Sequence, residues 1–205
     1  MNQALASENY KKEAAREKAL EAHRRLVETF GERAPSPNRD PLATLVNTIL
    51  SQNTNDNNRD VAYQQLRERF ATWEEVRRAP EDEVVEAIRP AGLAPTKGPR
   101  IQEALDRIKS SQGELDLNFL NDMELEEART WLLDLNGVGP KTAAIVLLFA
   151  LRRPAFPVDT HVHRVSRRLG LIPDKASREK AHDLLEELLP EKEQLVLVLY
   201  YYEEL

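Results

Sequence analysis

Two short runs carry most of the chemistry this sequence could perform. The first is Leu135-Asn136-Gly137-Val138-Gly139-Pro140-Lys141-Thr142-Ala143, and the second is Pro157-Val158-Asp159-Thr160-His161. Two glycines two positions apart let a backbone approach a ligand closely, and Pro140 has the preset φ of a first helical residue, so the apolar run Thr142 to Leu151 should begin as a helix here. A helix start offers backbone N–H groups to an anion, which makes Gly137, Val138, Gly139 and Thr142 candidate phosphate contacts. Lys141 stands one residue inside that helix, at the positive end of the dipole, where a second positive charge is disfavoured. A lysine amine without its proton is a nucleophile. Eighteen residues later Asp159 opens the next helical pattern. An amine that can attack, together with a carboxylate, suits a reaction that builds positive charge on a sugar ring, as in glycoside hydrolysis.

The rest of the chain must position these residues. From residue 4 to Phe30, Leu5, Ala15, Ala19, Leu20, Ala22, Leu26 and Val27 recur amid charge with helical period. Gly31 should end that helix, and Glu32 to Asp40, with Pro35 and Pro37, reads as a linker. Pro41 should open a buried helix carrying Leu42, Leu45, Val46, Ile49 and Leu50 into the polar run Ser51 to Asn58. Thr72-Trp73-Glu74-Glu75 fits a capping box. Pro80 starts a short helix, Gly92-Leu93 tips a Gly/Pro-rich turn, and Ile101 to Ile108 forms a stripe closed by Gly113. Glu124 to Leu135 should be the first helix of a hairpin, with Trp131 and Leu132 as core candidates, and Asp159 can also cap the helix holding Val162, Val165 and Leu169. Ser177 should cap a helix through Leu185, Leu188 and Leu189, ended by Pro190. Leu195 to Tyr202 has strand propensity, yet its acidic flanks and helical context favour a buried helix. The expected fold class is all-α. Its expected divisions are 1–38, an N-terminal helix and linker packing with a C-terminal lobe; 39–152, a helical bundle with the hairpin; and 153–205, the lobe carrying Asp159.

Composition narrows the function classes. The 205 residues contain no cysteine, so disulfides and thiolate-held zinc or iron–sulfur centres are excluded within this sequence. No run reaches the ~18 apolar residues of a membrane span, and the N-terminal residues lack the apolar core of a signal peptide. The expectation is a cytoplasmic protein without membrane partners, a monomer, associated with the nucleoid in a bacterial or archaeal cell. The net charge of −6 is unlike a generic nucleic-acid binder, but it is unevenly spread. Between Gly137 and Gly170, Lys141, Arg152, Arg153, Arg164, Arg167 and Arg168 oppose Asp159 alone, so a basic patch surrounds the proposed chemistry.

The Gly/Pro loop with its lysine, followed at this spacing by Val-Asp-Thr-His, resembles the helix-hairpin-helix (HhH-GPD) DNA glycosylases, and most closely their endonuclease III branch, over about residues 40 to 190. The resemblance implies a two-lobed helical fold with a DNA groove between the lobes, Lys141 coming from one and Asp159 from the other. It implies base excision from damaged duplex DNA through a Schiff base on Lys141, with Asp159 stabilising the developing charge, followed by strand nicking 3′ to the abasic site. Oxidised pyrimidine is the family default for the lesion. Gln52 resembles the glutamine that relatives push into the duplex, and Leu93 the wedge that fills the gap left by the flipped base, although a turn of this kind could equally dock Leu93 in the core. Lys97 and Arg100 would then lie near the DNA backbone. Of His161 and His163, two apart and pointing in different directions, one should pack and His161 is carried as the DNA contact. No cofactor is expected to be required; a monovalent cation on the main-chain carbonyls of Leu133, Leu135 and Val138 is implied by the family. Relatives usually carry four cysteines for an iron–sulfur cluster after the segment matching Pro190 to Leu205, and this sequence has none. A cluster-free variant, a shortened chain and a relation to the cluster-free alkylbase glycosylases all fit. The alternatives in function are an alkylated-base glycosylase and a noncatalytic helix-hairpin-helix DNA-binding module.

Overall fold

The computed structural model describes residues 2–31 and 39–188, with the backbone alone for 2–11. Among the described residues there are helices and turns and no strand. Most of the linker, Pro190 and the apolar stretch Leu195 to Tyr202 lie outside them. The described residues fall into two units, one drawn from Met1–Pro37 and Arg152–Leu205, the other from Asn38–Leu151.

The second unit is built around α2 (Pro41–Ser51). Asp40 caps it by accepting from the Leu42 N–H at 2.9 Å, and Pro41 occupies the first helical position, where its missing N–H costs nothing. Leu42, Leu45, Val46, Ile49 and Leu50 are all buried, because this helix is apolar on almost every face. α3 (Asp56–Arg69), α6 (Ala94–Gln112) and α8 (Pro140–Ile145), extended by a π-helical turn over Val146–Ala150, pack around it. α4 (Trp73–Arg78) and α5 (Glu81–Ala87) cover the other side of α6. That contact is close: a Cβ on Gly98 would stand 2.8 Å from Val85 Cγ2. The capping box at α4 is present in a variant form. Thr72 accepts from the Glu75 N–H, while Glu75 reaches back to the Ala71 N–H at 2.9 Å. α7 (Leu125–Leu133) leads into the hairpin, with Leu132 buried and Trp131 half-buried, edge-on to Phe119 at 5.1 Å between ring centres.

The first unit contains α1 (Asn2–Phe30), α9 (Thr160–Arg168) and α10 (Arg178–Glu186). Among the described side chains of α1, those of residues 12–30, Ala15 and Ala19 are the buried ones. The lead-in to α9 is pinned to α10 through one residue: the Phe156 N–H donates to Glu186 at 2.9 Å and its carbonyl meets Nδ1 of the buried His182 at 2.8 Å. Val165 and Leu169 are 46% and 47% exposed, and Ser166 is the buried residue of α9. A nine-residue helix with few apolar side chains has too weak a stripe to fix its rotation, and Ser166, four residues after Val162, marks the face that packs.

Candidate active site

In the second unit the hairpin is a tight turn. The Val138 N–H donates to the Leu135 carbonyl at 3.0 Å, and Gly137 adopts φ +80°, a left-handed conformation that favours glycine. Three contacts hold this turn from elsewhere in the chain. The Gln52 amide donates to the Gly137 carbonyl at 2.9 Å, Asn136 donates to Glu103 at 2.9 Å, and the aliphatic part of Arg100 lies so close to Gly137 that a Cβ there would stand 2.6 Å from Arg100 Cδ. α8 then begins on Gly139 with no side chain capping it, followed by Pro140 at the first helical position and half-buried Lys141 next. A Cβ on Gly139 would meet nothing within 4 Å. The first N–H groups of a helix have no carbonyl partner within it, so this terminus presents donors on an approachable backbone.

One of the expected phosphate contacts, Val138, needs correction, and Thr142 is left with its main chain alone. The Val138 N–H is spent inside the turn and its side chain is 6% exposed; Thr142 is 5% exposed. Any contact from Thr142 would have to come from its main chain, while Val138 acts as the apolar plug beneath the loop.

In the first unit Asp159 is the N-cap of α9. Its Oδ1 accepts from both the His161 and Val162 N–H groups at 2.8 Å, which fixes the carboxylate against the start of the helix. His163 Nε2 meets the Ala176 carbonyl at 2.8 Å and so packs, whereas His161 is exposed, with Nδ1 3.0 Å from an Arg164 nitrogen. Arg164 and Arg168 are exposed beside it.

The two tips expected to enter DNA differ from each other. Leu93 stands 55% exposed at the head of its turn with φ 52°, after Gly92 at φ 65°, so it is not docked in the core. Gln52, by contrast, is turned inward onto the hairpin carbonyl, and the exposed residue at the end of α2 is Asn53, at φ 53°. The sequence reading missed Asn53. Its type was the available signal, since asparagine tolerates the left-handed region better than other side chains. Lys97 is the clearest correction. It is 1% exposed, and its ammonium donates to the carbonyls of Leu50 at 2.7 Å and Ala91 at 2.8 Å, so it is no surface contact for phosphate. Burial pushes its pKa down from the usual lysine value.

For a metal, the described residues hold no cluster of three His, Cys, Asp or Glu side chains. Main-chain oxygens on the turn, by contrast, are hard donors of the kind a hard cation takes, and a carbonyl that accepts one N–H keeps a second lone pair. No helix among the described residues is long and apolar enough to cross a membrane.

Known proteins place this arrangement. Residues 46–191 match the family model for HhH-GPD superfamily base excision DNA repair proteins. A protein of Arabidopsis thaliana provisionally named a DNA glycosylase is 39% identical over 151 residues, which are 74% of this chain and 52% of that protein. The endonuclease III of Thermotoga maritima is 38% identical over 152 residues, 74% of this chain and 67% of that enzyme. The chain thus spans about half to two thirds of the length of these relatives. A trapped covalent intermediate of endonuclease III with DNA superposes with a TM-score of 0.73 at 25% identity, covering 92% of this chain and 86% of that one. The match over residues 46–191, most of the chain and a span that includes the hairpin, Lys141 and Asp159, shows that this protein belongs to the HhH-GPD superfamily of base excision DNA repair proteins.

Proposed function

We propose that the chain is a DNA glycosylase with AP lyase activity that removes damaged bases, of the oxidised pyrimidine class, from duplex DNA. The observation that carries this is Lys141 at the second position of a helix whose start has a glycine cap, held in place by Gln52, Arg100 and Glu103. A phosphate bound at that helix start would bring a nucleotide to the lysine. The unprotonated Lys141 amine attacks the sugar C1′ as the glycosidic bond breaks; the base departs with the bonding electrons and takes up a proton. Asp159, with its carboxylate fixed by two N–H groups, offsets the positive charge that develops on the sugar. Loss of a proton from the amine and opening of the ring gives an imine between Lys141 and C1′. Loss of a C2′ proton then expels the 3′ phosphate by β-elimination and nicks the strand. The relative named endonuclease III and the trapped covalent endonuclease III–DNA intermediate support this route for this chain.

Leu93 and Asn53, exposed on strained turns, would fill the space vacated in the duplex, and His161 with Arg164 and Arg168 would contact its backbone. The carbonyls of Leu133, Leu135 and Val138 would hold a monovalent cation, which when bound would stiffen the hairpin around its phosphate. The partner is double-stranded DNA with a damaged base or abasic site, engaged by a monomer in the compartment that holds the genome. The test is base release and nicking on duplexes carrying one oxidised pyrimidine or one alkylated purine. Base release with nicking on the first alone is expected. Release without nicking would overturn the lyase assignment, and preference for the alkylated purine would overturn the substrate class.

A further inference from the structure

Lys97 lies where two separate turns are anchored. It is 1% exposed, yet among the described residues no carboxylate takes a hydrogen bond from it; the ammonium donates to the Leu50 carbonyl at 2.7 Å and the Ala91 carbonyl at 2.8 Å. Leu50 is in the last turn of α2, and Ala91 ends a short 3-10 turn over Arg89–Ala91, so both oxygens belong to the carbonyl-rich, negative ends of helical segments. A buried ammonium carries a desolvation cost that an apolar side chain of the same length would not. What the charge holds is specific. Ala91 is two residues before Leu93, and Leu50 is three before Asn53. The Lys97 N–H also donates to the Leu93 carbonyl at 3.0 Å, so this one residue grips the Leu93 turn from two sides. Both tips are in the left-handed region, at φ 52° and 53°, a conformation that a leucine keeps only where the surroundings enforce it and that an asparagine adopts more readily. Gln52, between Leu50 and Asn53, continues the link to the hairpin through the Gly137 carbonyl.

We infer that Lys97 is a positioning residue for DNA engagement: by tying the Ala91 and Leu50 carbonyls together, it presents Leu93 and Asn53 as one preassembled pair of duplex-inserting tips. The inference rests on the proposed reading that these tips enter damaged duplex. Its consequence is that the contribution of Leu93 to binding depends on Lys97, although neither the ammonium nor its carbonyl partners touch DNA.

The experiment is a double-mutant cycle on binding, with a duplex bearing one tetrahydrofuran abasic analogue, an undamaged duplex and a single strand bearing the same analogue. The analogue has no C1′ electrophile, so the cycle reads positioning without the lyase chemistry, which abasic-site trapping tests separately. In the wild-type background Leu93→Ala should weaken binding to the analogue duplex about tenfold, and in the Lys97→Met background about twofold or less. Lys97→Met alone should lose at least about five times more affinity on the analogue duplex than on the single strand, a difference that mere loss of stability would not produce. An equal cost of Leu93→Ala in both backgrounds overturns the inference. A wild type that does not prefer the analogue duplex to the undamaged one overturns it along with the wedge reading. Should Lys97→Met fail to unfold cooperatively, the same cycle is run with Lys97→Arg, which keeps a charge but not the geometry of the ammonium; equal Leu93→Ala costs there would overturn it as well.

Discussion

Helix α8 begins on a glycine with no side-chain cap, whereas α9 begins on a carboxylate that accepts two of its own helix's N–H groups. The two starts carry the two groups assigned to chemistry, Lys141 and Asp159, but they are built on opposite principles. Asp159 is positioned locally, by residues two and three ahead of it in the chain, and its lead-in is pinned to α10 at Phe156. Lys141 is positioned at long range, through the turn before it, which is held by Gln52, 85 residues from Gly137, and by Arg100 and Glu103 on α6. The difference teaches where each site is vulnerable. A helix start left to glycine is suited to an external anion, at the cost of needing distant residues to hold it; a self-capped start satisfies its own donors and fixes its acid.

The largest expected effect comes from Lys141. Lys141→Gln should abolish base excision and nicking while changing DNA affinity by about 1 kcal/mol or less, since one phosphate-side contact is worth little more. Activity assays beside fluorescence anisotropy check this, and an equal collapse of affinity would make Lys141 a phosphate anchor instead. Asp159 should split into two roles. Asp159→Asn keeps a good helix cap but loses the charge, so turnover should fall about a hundredfold or more with stability nearly unchanged; Asp159→Ala should lose the cap as well, for about 1 kcal/mol of stability. Denaturant midpoints alongside turnover separate the two, and a wild-type rate in the Asn variant would confine Asp159 to capping.

The two glycines of the hairpin sharpen the comparison further. Gly137→Ala places a side chain at φ +80° against Arg100, and should lower stability by about 1–2 kcal/mol. Gly139→Ala meets no atom of the protein within 4 Å, and should leave stability within about 0.5 kcal/mol while weakening DNA binding, because its methyl would stand where the proposed phosphate contact is made. If both variants lose stability alike, the open start of α8 is not the feature it is taken to be here.

The smallest effect is a pH dependence. Burial holds the Lys97 pKa below the ordinary 10.5. Between the lowered value and 10.5 the unfolded chain binds the proton and the folded chain does not, so stability rises with pH across that window. Denaturation midpoints of wild type and Lys97→Met, compared from neutral pH to 10.5, should show this rise in the wild type only.

How much of this was legible in the sequence varied with the range of the forces involved. The burial of α2 was legible because nearly all its residues are apolar, and the cap at Asp159 because its chemistry is local. The hairpin was legible from the Gly/Pro spacing. The π-helical turn over Val146–Ala150 was not, since an apolar run reads the same in either helix. Lys97 was misread because a lysine is ordinarily solvated, and only the folded chain brings carbonyls from Leu50 and Ala91 to one point. Gln52 and Asn53 are adjacent, and the choice between them was settled by a carbonyl 85 residues from Gln52.

The most direct test of the central claim is borohydride trapping on a duplex with one natural abasic site, with the cross-linked residue mapped by peptide mass. A covalent adduct is expected in the wild type, linked to Lys141 and absent from Lys141→Gln. An adduct on another residue, or none from folded wild-type protein, would contradict the assignment of Lys141 as the Schiff-base nucleophile.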